Sequence, residues 1–156
     1  MKLKDMEIPL NRISGVGPSF AKAFARVNVF TVSDLLSYYP REWEDRTQRR
    51  SFAEFSRGKV HTAAQVLSHE WFGFGRMKTL KIIVTDGTER AALVCFNRPF
   101  LQKNLPEGSL ISVSGAFTYR YGEIQSSSFD AVRIAEEGSL ADLKDSILPD
   151  SAVYPV

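Results

Sequence analysis

Between residues 59 and 134, segment after segment shows apolar side chains at every second position, and this period restricts the chain more than any single motif in it. A period of two places successive side chains on opposite faces of an extended strand, leaving one face to bury. Val60 to Leu67 reads as a first strand, followed by a loop from Ser68 to Arg76. Thr79 to Thr85 reads as a second, with Leu80, Ile82 and Val84 on one face. Asp86-Gly87 is a hairpin signal, because a two-residue turn with positive φ favours that pair. Arg90 to Phe96 returns as the third strand, and Arg98 to Leu105 reads as a short helix stopped by Pro106 and Gly108. Leu110 to Thr118 is the fourth strand, Tyr121-Gly122-Glu123 turns the chain, and Ile124 to Ile134 is the fifth.

Five strands with a short helix between the third and fourth is the element order of an OB-fold barrel, in which that helix plugs one end. Ahead of it the pattern is helical. Pro18 directly after Gly17 suits a first helical turn, and Phe20, Ala21, Phe24 and Val27 fall on one face. Thr31 or Ser33 reads as the N-cap of a second helix, with Asp34 in its first turn, Leu35, Leu36 and Tyr39 on its apolar side and Pro40 at its end. Ser51 to Phe55 reads as another helical turn, closed by Gly58. The expected fold class is mainly β with N-terminal helices: a five-stranded OB-fold barrel preceded by a helix-hairpin-helix-like helical element. Residues 1–58 would form the helical element, 59–134 the barrel, and 135–156 an acidic linker.

Composition excludes several classes. With 156 residues, 44% of them hydrophobic, the chain can bury a core, and wholesale disorder is ruled out. No apolar run approaches the ~20 residues of a membrane helix, and Met1 to Glu7 lacks the apolar centre of a secretory signal. The expected location is therefore cytoplasmic. The single Cys95 permits no internal disulfide and no multi-thiolate zinc site. There is no G-x-x-x-x-G-K-[ST] phosphate loop, and His61 and His69 lack ligand-spaced partners, so they are expected at the surface or a strand edge. No catalytic residue, no metal ligand and no cofactor is assigned to this chain. Net charge is +2, but residues 1–134 alone balance at +6 and residues 135–156 at −4. A mildly basic body with an acidic tail permits nucleic-acid binding without demanding it.

Aromatic and cationic residues sit where OB-folds hold oligonucleotides. Trp71, Phe72 and Phe74, then Arg76 and Lys78, occupy the stretch after the first strand. Tyr119, Arg120 and Tyr121 occupy the turn between the fourth and fifth. Bases stack on such rings while Arg and Lys follow phosphates; the same rings would also serve to cover the barrel ends. Phe96 and Phe100, four apart, would share one rim with Asn97 and Arg98 beside them, but a phenylalanine ending a strand is ordinarily core, and spacing alone favours the core for Phe96. Gly15-Val16-Gly17 resembles the glycine turn of a helix-hairpin-helix motif, whose backbone N–H groups attract a phosphate oxygen, with Lys22 and Arg26 nearby. A plain turn needing two glycines is the alternative.

The run Leu35-Leu36-Ser37-Tyr38-Tyr39-Pro40-Arg41-Glu42-Trp43-Glu44-Asp45-Arg46 resembles the N-terminal region of RecG, an ATP-dependent helicase of branched DNA. So do Asp86-Gly87-Thr88, Phe96-Asn97 with an aromatic at position 100, Leu105-Pro106-Glu107-Gly108, Val113-Ser114-Gly115 and the closing Val153-Tyr154-Pro155. The resemblance implies a wedge domain that parts strands at a DNA junction, with Phe96 and Phe100 stacking on the bases at the branch point. Phe100 stands where the family commonly has tyrosine, Glu89 where it has glycine, and Ser128-Phe129-Asp130 where it often has His-Pro-Glu. The resemblance also implies a helicase motor beyond Val156 in the same polypeptide, and ATP and Mg used by that motor; a monomer is expected. Forked or branched DNA is then the partner, bound without sequence preference. A free-standing single-strand binder using Trp71, Phe72 and Tyr121, or a protein-interaction module, are the alternatives.

Overall fold

The computed structural model describes residues 7–39, 42–75, 78–143, Leu148 and the backbone of 153–155. Two compact units divide the chain, one reaching Trp43 and the other running from Glu44 to Tyr154.

In the first unit one 3₁₀ turn, Leu10–Arg12, precedes the glycines. Gly15 takes φ +89°, where a Cβ would be strained. Helix α1 (Pro18–Ala25) begins behind Gly17 with Pro18 at its first position, where a missing N–H costs nothing. Helix α2 (Val32–Ser37) is capped by Thr31. The Thr31 hydroxyl accepts from the Asp34 N–H at 3.2 Å, and Asp34 Oδ2 accepts from the N–H groups of Phe30 and Thr31, each at 3.0 Å. Those bonds, led by the one from Phe30, hold the Asp34 carboxyl below its ordinary value. The apolar faces expected of both helices are not sealed: Phe20, Val27, Leu36 and Tyr39 are exposed, and only Leu10 and Val29 are buried among the described residues of this unit. A segment this short has too few side chains to enclose the stripe its helical period builds.

The second unit is mainly β. Strands β2 (Val60–Phe72), β3 (Thr79–Thr85), β4 (Arg90–Cys95), β5 (Leu110–Arg120) and β6 (Glu123–Ala135) pair in the order β2-β3-β4-β6-β5. Because β5 also pairs with β2, the sheet closes into a ring, all contacts antiparallel except β4 with β6. Closure pairs each of these five strands on both sides, so the ring itself has no edge strand. A separate two-stranded sheet joins β1 (Trp43–Asp45) to β7 (Val153–Pro155). The register shifts between Val66 and Ser68 and between Ala116 and Thr118 are bulges, which bend long strands enough to close a ring.

Strand β2 runs five residues further than the sequence indicates, so Trp71 and Phe72 are strand residues opposite Leu80 and Thr79, not loop residues. The bulge after Val66 moves the side-chain period by one, which hides the continuation from an alternation pattern. Strand β4 stops at Cys95, leaving Phe96 in a turn, and the helix is only α3 (Leu101–Asn104). His61, expected at the surface or a strand edge, is buried at 4% exposure, because the first half of β2 is covered on both faces.

Leu80, Ile82, Val84, Leu93, Ile111 and Val113 fill the ring. Phe52, on the 3₁₀ segment Phe52–Arg57, is fully buried with its ring centre 5.1 Å from that of Phe117. Its N–H donates to Asp86 Oδ2 at 2.7 Å, while Asp86 Oδ1 accepts from the N–H groups of Thr88 and Glu89 at 2.9 and 3.1 Å. Asp86 thus shapes the β3–β4 hairpin and ties it to the 3₁₀ segment. At Gly115 the backbones of β5 and β6 approach so closely that a Cβ would stand 2.7 Å from the Ser128 carbonyl oxygen. Gly115→Ala is expected to cost roughly 1–3 kcal/mol by overpacking, measured as a lower urea midpoint at unchanged slope.

Candidate nucleic-acid interface

The alternation that sends Leu80, Ile82 and Val84 inward sends Lys81 outward. The same rule turns Gln125 out between the buried Ile124 and Ser126 on β6. These outward positions, the end of β2 and the β5–β6 turn form the walls of a groove of about 750 Å³ on the outer face of the ring. Trp71, Phe72, Phe96, Arg120 and Tyr121 all line it. Several exposed rings gathered in one groove, unlike rings scattered singly, mark a binding surface: Phe96, for which spacing alone favours the core, is 59% exposed, and Tyr121 is 96% exposed. Tyr121 and Gly122 turn the chain with φ +52° and +79°, the geometry of a hairpin turn that holds both central residues in the left-handed region. That turn presents the Tyr121 ring to solvent.

The remaining candidates lie elsewhere. Asn97, with φ +52°, and Phe100, 57% exposed, belong to the turn between β4 and α3 and do not line the groove. Arg98 turns toward β6, its guanidinium 5.5 Å from the centre of the Phe129 ring and donating to the Phe129 carbonyl at 3.4 Å. Lys78 is exposed just before β3. Arg76 lies outside the described residues. Gly15 and Gly17 belong to the first unit. Cys95 is buried, which pushes its thiol up to about 11 and leaves it protonated and unreactive at neutral pH.

Residue-by-residue reading missed Lys81, Glu123, Gln125 and the Ser126–Ser128 run as groove walls. The outward phase of β3 was the available signal for Lys81. It also missed a polar recess of about 190 Å³ lined by Glu44, Arg46, Lys59, Arg98 and Asp130. There Glu44 accepts from Lys59 Nζ at 2.7 Å, Arg46 Nε at 3.1 Å and the Ser114 hydroxyl at 3.2 Å, and Arg46 also donates to Asp130 at 2.8 Å. Burial raises the Glu44 pKa, but the bonds from Lys59 and Arg46 outweigh it and hold the carboxyl below its ordinary value of 4.5. A depressed folded-state pKa stabilises above the unfolded-state pKa and loses that contribution as pH falls through the folded value. Glu44→Gln is therefore expected to cost about 1–3 kcal/mol at pH 7. The gap from the parent should close as both are titrated below about pH 4 in urea melts.

The second unit is thus a mainly β module whose closed five-stranded sheet carries exposed rings along an outer groove. Among the described residues no three metal-ligating side chains come together, and no helix there is long and apolar enough to cross a membrane. The RecG wedge domain model matches residues 9–155. The ATP-dependent DNA helicase RecG of Treponema pallidum (strain Nichols) is 40% identical over all of this chain, which covers 22% of that protein. RecG of Bacillus subtilis (strain 168) is 33% identical over 66% of this chain and 15% of its own length. A solved structure of RecG bound to a three-way DNA junction superimposes with a TM-score of 0.64 and 28% identity, over 86% of this chain and 19% of that one. The chain belongs to the RecG wedge domain family. It spans about a fifth of the length of its curated relatives.

Proposed function

We propose that the ring is an OB-type barrel acting as a wedge at branched or forked DNA, without sequence preference. Phe96 and Phe100 cap the last base pairs at the branch point, and the parted strand runs along the groove over Trp71, Phe72 and Tyr121. Each stacked base contributes roughly 1–3 kcal/mol, comparable to the ~1.4 kcal/mol of a base-pair step that must be exposed. Arg120, Lys78, Arg76, Asn97 and Arg98 supply cationic and polar contacts around the rings. The Gly15–Gly17 turn, read as helix-hairpin-helix-like, offers backbone N–H groups to a phosphate. Residues 135–156 act as a linker to a helicase motor of the same polypeptide, which uses ATP and Mg; the protein is a cytoplasmic monomer.

The observation that carries this reading is the exposure of two phenylalanines four residues apart on one turn, the first at the lip of a groove already lined by aromatic rings. The RecG relative solved on a three-way DNA junction supports branched DNA as the ligand. A second reading, a binder of plain single strands, is favoured by Phe100 lying outside the groove that Trp71, Phe72 and Tyr121 share. Affinities for a three-way junction, a duplex and a single strand at two salt concentrations separate them. The wedge requires the junction to bind most tightly; equal affinity for the plain single strand would favour the second reading.

A further inference from the structure

Lys81 Nζ stands 2.6 Å from Glu123 Oε1 and 5.8 Å from the centre of the Phe72 ring. Neither side chain is more than a third exposed, and both line the aromatic groove. Strands β3 and β6 are not neighbours, since β4 lies between them, so this pair bridges the outer face of β4 across the groove. A carboxylate in a groove that accepts a polyanion repels it, and the charged lining residues, Lys81 and Arg120 against Glu70 and Glu123, sum to zero. The aromatic wall is thus open, while its inner cation is already occupied.

We infer that Glu123 holds the place of a nucleic-acid phosphate: Lys81 is a phosphate-contacting residue kept in reserve by Glu123, and an incoming phosphate displaces that carboxylate. The inference rests on the nucleic-acid reading above. With its charge balanced, the groove gains little from a phosphate chain alone and takes one up when bases stack on the rings at the same time. An unpaired strand meets that condition, whereas a duplex keeps its bases stacked internally.

Fluorescence anisotropy of labelled oligothymidylate across a salt series tests it, using the whole 156-residue chain. Glu123→Gln is expected to tighten binding about 3–10-fold at low salt and to steepen the salt dependence by about 0.7, the increment for one single-strand phosphate. Lys81→Met should weaken binding by a similar factor, and adding Glu123→Gln to it should restore little. Should glutamine lower the melting temperature, Glu123→Ser gives the same readout. Unchanged or weaker binding by the Glu123 variants overturns the inference, as does an equal gain with and without Lys81, which would mean diffuse charge only. Binding by the parent with no response at position 123 removes this inference and leaves the nucleic-acid reading standing. No binding by any variant removes both.

Discussion

Phe96→Ala combined with Phe100→Ala is expected to weaken binding to a three-way junction by roughly 30-fold or more, the loss of two ring–base stacks at about 2–6 kcal/mol together. Both rings are more than half exposed, so the double variant should melt within a few degrees of the parent. Affinity for a plain duplex should change far less, because a duplex offers no unstacked base to either ring. The single variants divide the effect. Phe96 lines the groove and Phe100 does not, so Phe96→Ala should also weaken single-strand binding while Phe100→Ala spares it. Junction affinity untouched in a folded double variant would end the wedge reading.

The largest effect on stability is expected at Phe52. It is fully buried, packs on Phe117 and holds the 3₁₀ segment against the ring. Phe52→Ala should cost about 3–5 kcal/mol through lost burial and the cavity left behind. A domain of this size has only about 5–15 kcal/mol in total. A fall in melting temperature on the order of 10–20 °C follows. Phe74→Ala is the matched control: its ring is 96% exposed, and the change should stay within about 0.5 kcal/mol. A loss at Phe52 no larger than at Phe74 would show that the 3₁₀ segment is not part of the cooperative core.

Several elements can be read without coordinates because their cause lies within a few residues. Pro18 behind Gly17 starts α1, Thr31 and Asp34 close a capping box over three positions, and Asp86-Gly87 turns the chain between β3 and β4. Leu80, Ile82 and Val84 alternate because β3 has one face in the core and one outside. The continuation of β2 to Phe72 could not be read this way, since the bulge after Val66 breaks the period that would mark it. Nor could the exposed faces of α1 and α2, because amphipathic spacing states which side would be buried, not whether anything covers it.

The candidate interface divides along the same line. Rings and cations near the ends of strands are visible in composition, and five of them, Trp71, Phe72, Phe96, Arg120 and Tyr121, share one groove. That Arg98 turns toward Phe129, and that Phe100 stands apart from the groove, follows from the path of the β4–α3 turn. The amino-acid order by itself determined the strand periods, the hairpin turns, the helix starts and the supply of aromatic side chains, since each depends on neighbours in the chain. Only the tertiary structure decided which side chains meet: Arg46 finds Asp130 across 84 residues and Lys81 finds Glu123 across 42. Such pairings depend on how the sheet closes, and closure is a property of all five strands at once rather than of any local stretch.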